Sequence, residues 1–268
     1  MTPILELRAV TRRIGNRPIV DAVSLSLSPG RMTVLIGPNG AGKSSLIGLA
    51  SGWQPPDGGG VHCDGRPIGD WPRWRLATKR AVMAQSGSIG VPFTVADVVA
   101  IGCDGVGLGL SAADRVQLGL QAMQRADVAH LAGRIFSTLS GGEQQRTRFA
   151  RALAQLAAGR TLETRQILIL DEPIAGLDLK HQIFLLDTAR ELAADGVALL
   201  VVLHDLALAR AYADDLVLLE NGRVAAKGAP DEVLTRQRIA EVFGIDASAA
   251  RGVLGWLVAS PVERAAGG

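Results

Sequence analysis

The chain has 268 residues, of which 48% are hydrophobic and 20% charged, and its 28 Lys+Arg against 26 Asp+Glu leave a net charge of +2. At about 100–200 residues per domain, that length makes one large domain or two small ones, and an average composition excludes disordered, collagen-like and coiled-coil readings of the whole chain. With 32 Gly and 12 Pro the sequence is not of low complexity, so the glycines are expected in particular loops.

No block of like charges creates a field toward nucleic acid. The longest strongly apolar run, 197–203, is far shorter than the roughly 20 residues that span a bilayer. The opening MTPILELRAV lacks the basic and apolar regions of a secretory signal, and two cysteines, Cys63 and Cys103, make no disulfide framework. A reducing cytoplasm is the expectation.

In chain order, the first buried-strand signal is Met32–Ile36, followed by a glycine-rich turn and a helical pattern over 42–49. An apolar stretch, 81–84, precedes Gln85. From about 86 to 158 the buried-strand signal disappears, and 111–129 is polar and apolar at helical spacing, so this stretch reads as a helical insertion. A long helix is expected over 142–156. Strands at Ile167–Leu170, 197–203 and 216–219 then alternate with helices at 180–194 and Leu206–Tyr212, the pattern of an α/β fold with a parallel sheet. The closing RAAGG is expected to fray.

Gly37-Pro38-Asn39-Gly40-Ala41-Gly42-Lys43-Ser44 fits GxxxxGK[ST] between a strand and a helix, the context that this phosphate-binding loop requires. Its glycines let backbone N–H groups turn toward phosphates at a helix N-terminus, Lys43 adds a point charge, and the Ser44 hydroxyl is a Mg²⁺ ligand. The strand Ile167–Leu170 ends in Asp171-Glu172, whose side chains alternate and so point to different places. With a phosphate loop in the same chain, Asp171 is expected to hold Mg²⁺ through water and Glu172 to polarise the water that attacks the γ-phosphate. Leu139-Ser140-Gly141-Gly142-Glu143-Gln144 is a turn opening a helix, with donors suited to phosphate.

The phosphate loop, Gln85, LSGGEQQR, ILILDEP, Ala175-Gly176-Leu177-Asp178 and His204 follow one another in that order. Over about residues 4 to 240 they resemble the nucleotide-binding subunit of ATP-binding cassette (ABC) transporters, LSGGE being the segment most specific to that family. The resemblance implies an α/β fold: a RecA-like P-loop NTPase core with a parallel sheet, an N-terminal β subdomain and an inserted helical subdomain. It divides the chain into a core of 1–86 and 159–243, a helical signature subdomain of 87–158 and a short C-terminal extension of 244–268.

The resemblance also assigns roles. Gly37, Asn39, Gly40, Gly42, Lys43, Ser44 and Ser45 surround the phosphates of ATP, while Ser44, Gln85 and Asp171 serve Mg²⁺. Gln85 links the core to the helical subdomain, and His204 contacts the γ-phosphate beside Glu172. Ser140, Gly141 and Gly142 meet the γ-phosphate bound by the other subunit, and Asp178 communicates across the dimer, so that one chain alone carries two incomplete sites. The implied partners are a second copy, a polytopic membrane permease and, through it, a periplasmic substrate-binding protein. The implied location is peripheral, at the cytoplasmic face of the inner membrane.

Two departures from the family pattern stand out. No aromatic residue occupies Arg12-Arg13-Ile14-Gly15, where the family stacks one on adenine, and Pro173-Ile174 and AGLD replace the commoner Pro-Thr and SALD. Arg80-Ala-Val-Met-Ala-Gln85, Pro92-Phe93-Thr94-Val95 before Asp97, and Leu203-His204-Asp205-Leu206 followed by Tyr212-Ala213-Asp214 resemble the importers of iron complexes, namely haem, ferric siderophores and vitamin B12. A long segment before the acidic strand, AAGRTLETRQ, and Gly69-Asp70-Trp71 are similar to the haem importers, making haemin the expected cargo. The alternative class is a soluble ABC protein without a permease, acting in repair, translation or cluster assembly, whose repair and translation members typically carry two cassettes or a long coiled-coil insertion. His62, Cys63 and Cys103 lack metal-ligand spacing. Trp71 and Trp74, with Arg73, Arg75, Lys79 and Arg80, read as a solvated helix with packed indoles.

Overall fold

The computed structural model describes residues 2–84, 91–106 and 109–246. Gln85 and most of the C-terminal extension, with its RAAGG end, lie outside the described residues. Ten strands are described: β1 (Leu5–Ile14), β2 (Arg17–Leu27), β3 (Met32–Ile36), β4 (Gly58–Cys63), β5 (Arg66–Pro67), β6 (Arg80–Met83), β7 (Ile167–Leu170), β8 (Ala198–Val202), β9 (Asp215–Glu220) and β10 (Arg223–Gly228). Among them run helices α1 (Lys43–Ala50), α2 (Arg73–Lys79), α3 (Val95–Asp104), α4 (Ala112–Arg125), α5 (Gly141–Arg160), α6 (Leu179–Ala194), α7 (Leu206–Tyr212), α8 (Pro230–Val233) and α9 (Arg236–Phe243).

One sheet has the order β10-β9-β3-β8-β7-β6, parallel except where β10 returns antiparallel on β9. Its central strands read as unbroken apolar runs because both faces are covered. Leu35, Ile167, Ile169, Leu200 and Val202 face the core shared with α1 and the second sheet, whereas Val34, Ile36, Leu168, Leu170, Leu199 and Val201 face the core shared with α3–α6. The second sheet, β2-β1-β4-β5, is antiparallel throughout.

Between Met83 and Ile167 the described residues hold no strand of either sheet, and α3, α4 and α5 pack on one another there. Phe149, 1% exposed, is among the largest fully buried side chains. Helix α5 runs a turn past the expected end at 156, because the segment after it is anchored. Gln166 Nε2 donates to Leu156 O at 2.8 Å, and Glu163 Oε2 pairs at 2.8 Å with Lys79 Nζ. The long segment before β7 thereby ties α5 to α2.

The helix with two packed indoles needs correction. Trp71 precedes α2 and is half-buried, with Arg66, Arg75 and Lys79 within 5.2–5.6 Å of its ring centroid, a cation–π arrangement. Trp74 is 53% exposed, while Lys79 is buried by its pairing with Asp64 and Glu163. Cys63 and Cys103 are buried free thiols. No described helix is long and apolar enough to cross a membrane.

Candidate functional site

Three loops leave the C-terminal ends of adjacent parallel strands, the edge where open α/β sheets bind ligands. Strand β8 lies between β3 and β7, with Leu35 opposite Val202 and Val201 opposite Leu170. Immediately beyond this level come Gly37 on β3, His204 on β8 and Asp171-Glu172 on β7. The register of three strands therefore assembles residues separated by up to 167 positions.

The glycine loop is enclosed by backbone. A Cβ on Gly37 (φ +151°) would stand 2.2 Å from Leu219 O, and one on Gly42 (φ +99°) 2.4 Å from Ile19 O. Only glycine gives both the conformation and the space. Lys43 is 6% exposed and donates from Nζ to Gly37 O at 2.8 Å and Pro38 O at 2.9 Å, curling over its own loop. Desolvation lowers its pKa, opposed by the nearby Glu172 and Asp171 carboxylates. Gly37 is buried, whereas Asn39, Gly40 and Ser44 are exposed at the rim and Gly42 and Ser45 are half-buried.

Asp171 is 4% exposed and its N–H donates to Met83 O at 2.9 Å, which brings the end of β6, two residues before Gln85, to the same edge. Its carboxyl pKa is raised by burial and by Glu172, against the pull of Lys43, and Ser44 lies within hydrogen-bonding reach. Asp171 Oδ1 is buried without a partner. An orphaned carboxylate oxygen beside a hydroxyl and opposite a phosphate loop fits Mg²⁺, which prefers one or two protein oxygens plus substrate phosphates and water. No group of three or more His, Cys, Asp or Glu side chains is placed to hold a metal among the described residues.

Glu172 has a left-handed backbone, φ +50°, uncommon for a residue with a side chain. Its carboxylate Oε1 lies 2.6 Å from His204 Nε2. Its carbonyl accepts from the buried Gln145 Nε2 at 2.8 Å. Gln145 lies inside LSGGEQQR, but nothing local in the sequence marks a partner 27 residues away.

Ser140 caps α5. Its Oγ accepts from Glu143 N at 3.3 Å, while its own N–H donates to Glu143 Oε2 at 2.8 Å, a capping box whose backbone bond holds the Glu143 pKa low. Ser140 and Gly141 are exposed. A Cβ on Gly142 would stand 3.3 Å from Leu177 Cδ2, so this turn lies against the loop carrying Asp178. Asp178 is exposed and caps α6 through His181 N–H at 2.9 Å. Ile14, at the end of β1, is 69% exposed.

These features define a P-loop nucleotide-binding cassette, and residues 20–175 match the ABC transporter family. The chain belongs to the ABC transporter family and binds and hydrolyses ATP. Among its relatives, the Hemin import ATP-binding protein HmuV of Bradyrhizobium diazoefficiens is 42% identical over 92% of this chain and 91% of the relative. The protein of the same name from Streptomyces coelicolor is 46% identical over 86% and 79%. Among solved structures, an ADP-bound cassette of an ABC transporter superposes with a TM-score of 0.75 at 26% identity, covering 92% of this chain and all of the other. A dimeric bacterial ABC transporter cassette gives 0.74 at 25% identity, covering 84% and 98%.

Proposed function

We propose that this chain is the ATP-hydrolysing subunit of a haemin importer, working as a homodimer against a membrane permease at the cytoplasmic face of the inner membrane. The observation that carries the ATPase part is the convergence of the Gly37 loop, Asp171-Glu172 and His204 on one sheet edge, with Glu172 and His204 2.6 Å apart. The cargo rests on relatives named as hemin import proteins at 40–46% identity.

In this reading residues 1–86 and 159–243 form the core, 87–158 the helical subdomain and 244–268 an extension. Backbone N–H groups from Gly37 to Ser45, including those of Asn39, Gly40 and Gly42, cradle the phosphates at the start of α1. Lys43 exchanges its bonds to Gly37 O and Pro38 O for phosphate oxygens. Asp171, Ser44 and Gln85 would hold Mg²⁺, which would neutralise phosphate charge. Glu172 accepts the proton of the attacking water, and His204 holds that carboxylate in place and reaches the γ-phosphate. Ser140, Gly141 and Gly142, exposed or half-buried at the start of α5, and Asp178 complete the site of a second copy. A periplasmic carrier acts through the permease.

The test is ATPase activity of the complex reconstituted with its permease and loaded carriers. Haemin-loaded carrier is expected to stimulate turnover. Stimulation by a vitamin B12 or ferric-siderophore carrier with no response to haemin would overturn the cargo, and failure to co-purify with any polytopic protein in detergent would overturn the transport role.

A further inference from the structure

We infer that His181 is a positioning residue that straps the Asp178 loop to the Asp127 corner, so that the two surfaces this chain offers to a second copy move as one piece. The inference rests on the reading that Ser140 and Asp178 act on the nucleotide of that second copy.

His181 stands in the first turn of α6. Asp178 Oδ1 accepts from the His181 backbone N–H at 2.9 Å and lies 2.7 Å from ring Nδ1. A carboxylate that also caps the helix only accepts, so Nδ1 carries a proton. The other ring nitrogen, Nε2, lies 3.6 Å from Asp127 Oδ2, beyond the end of α4. The ring thus stands between the two carboxylates, one facing each nitrogen.

Asp127 is itself tied to the helix that begins at Ser140. Arg146 Nη1 donates to Asp127 O at 2.6 Å and to Asp127 Oδ2 at 2.7 Å, with the Arg146 side chain almost buried. Asp127 holds a left-handed conformation, φ +52°, which turns its carbonyl and carboxylate to the same guanidinium. A continuous polar chain thus runs Asp178, His181, Asp127, Arg146, and ends six residues from Ser140 on the same helix. At the other end, the position of Gly142 meets Leu177, next to Asp178. The Asp178 loop and the Ser140 turn are joined at two places, once by apolar contact and once by this polar strap. The strap uses none of Lys43, Asp171 or Glu172, so its effect belongs to assembly rather than to nucleotide capture by one chain.

The experiment uses the full chain with Glu172→Gln to trap ATP, and reads ATP-driven dimerisation by sedimentation, ATP binding by the monomer, and the thermal midpoint. His181→Ala is expected to weaken dimerisation about three- to tenfold, the combined worth of two partly exposed polar contacts. ATP binding by the monomer stays within about twofold, since no nucleotide contact is touched. Asp127→Asn, which keeps the left-handed corner and the Arg146 bond to the carbonyl, reproduces most of the loss. The double variant is no weaker than His181→Ala alone, because the two side chains act as a unit. His181→Gln, long enough to reach Asp127, recovers part of the dimer. Dimerisation of His181→Ala equal to that of its parent, or losses that multiply in the double variant, would overturn the strap and leave the homodimer intact. A Glu172→Gln parent that stays monomeric with ATP would overturn both.

Discussion

Replacing Glu172 by Gln separates binding from chemistry. The amide keeps the size of the side chain and an oxygen that accepts from His204 Nε2, now 2.6 Å from the carboxylate, and the Gln145 bond to the residue 172 carbonyl is untouched. The left-handed backbone at φ +50° suits Gln as poorly as Glu, so the fold is not perturbed. What disappears is the base. A positioned base is worth about 10²- to 10⁴-fold, which at 1.36 kcal/mol per tenfold is about 3–5 kcal/mol on the barrier. The carboxylate also repels the phosphates, so ATP binding is expected to hold or tighten. The assay pairs single-turnover hydrolysis by the reconstituted complex with equilibrium binding of ATP to the subunit. Turnover within threefold of the parent, roughly 0.7 kcal/mol, would refute the assignment of Glu172 as base. A parallel collapse of binding would refute the separation of binding from chemistry at this residue.

Ser140→Arg, added to Glu172→Gln, is expected to abolish ATP-driven dimerisation while the monomer still binds ATP, because an exposed cap residue is enlarged where the second copy's γ-phosphate would sit; a surviving dimer seen by light scattering argues against a shared site. Ile14→Tyr is expected to tighten ATP binding by about 0.5–1.5 kcal/mol, the stacking contribution of an aromatic face beyond area burial, measured by calorimetry against GTP; unchanged affinity means that the base lies elsewhere. Asp171→Asn is expected to raise the denaturant midpoint of the nucleotide-free subunit. Burial, then Glu172, raises the carboxyl pKa, so its ionised form costs stability that returns as pH falls through the folded pKa. The gain should therefore shrink in acid, and a variant less stable than the parent at neutral pH would contradict this. The same substitution should weaken Mg²⁺-dependent hydrolysis.

Local periodicity and spacing carry the elements and the chemistry that need no distant partner. The phosphate loop is legible because one turn of backbone must do one job, which only glycines, a lysine and a hydroxyl at fixed spacing can do. The strands at Met32–Ile36 and Ile167–Leu170, and the helix Leu206–Tyr212, appear where periodicity put them, because sheet faces buried on both sides demand unbroken apolar runs. The resemblance carried by LSGGEQQR, ILILDEP and His204 named the family before any strand was paired.

Other features required the folded chain. The antiparallel sheet β2-β1-β4-β5 shows no buried run, since its strands are covered on one face only and interrupted by bulges. The place of β8 between β3 and β7 brings His204 to Glu172, and strand order is not written in any local pattern. The left-handed turn at Glu172, the Gln145 bond that supports it, and the His181–Asp127–Arg146 strap join residues 19 to 54 positions apart. Such contacts cost chain entropy to form and are repaid only when the whole core closes around them, which is why they depend on the closed core and not on sequence spacing.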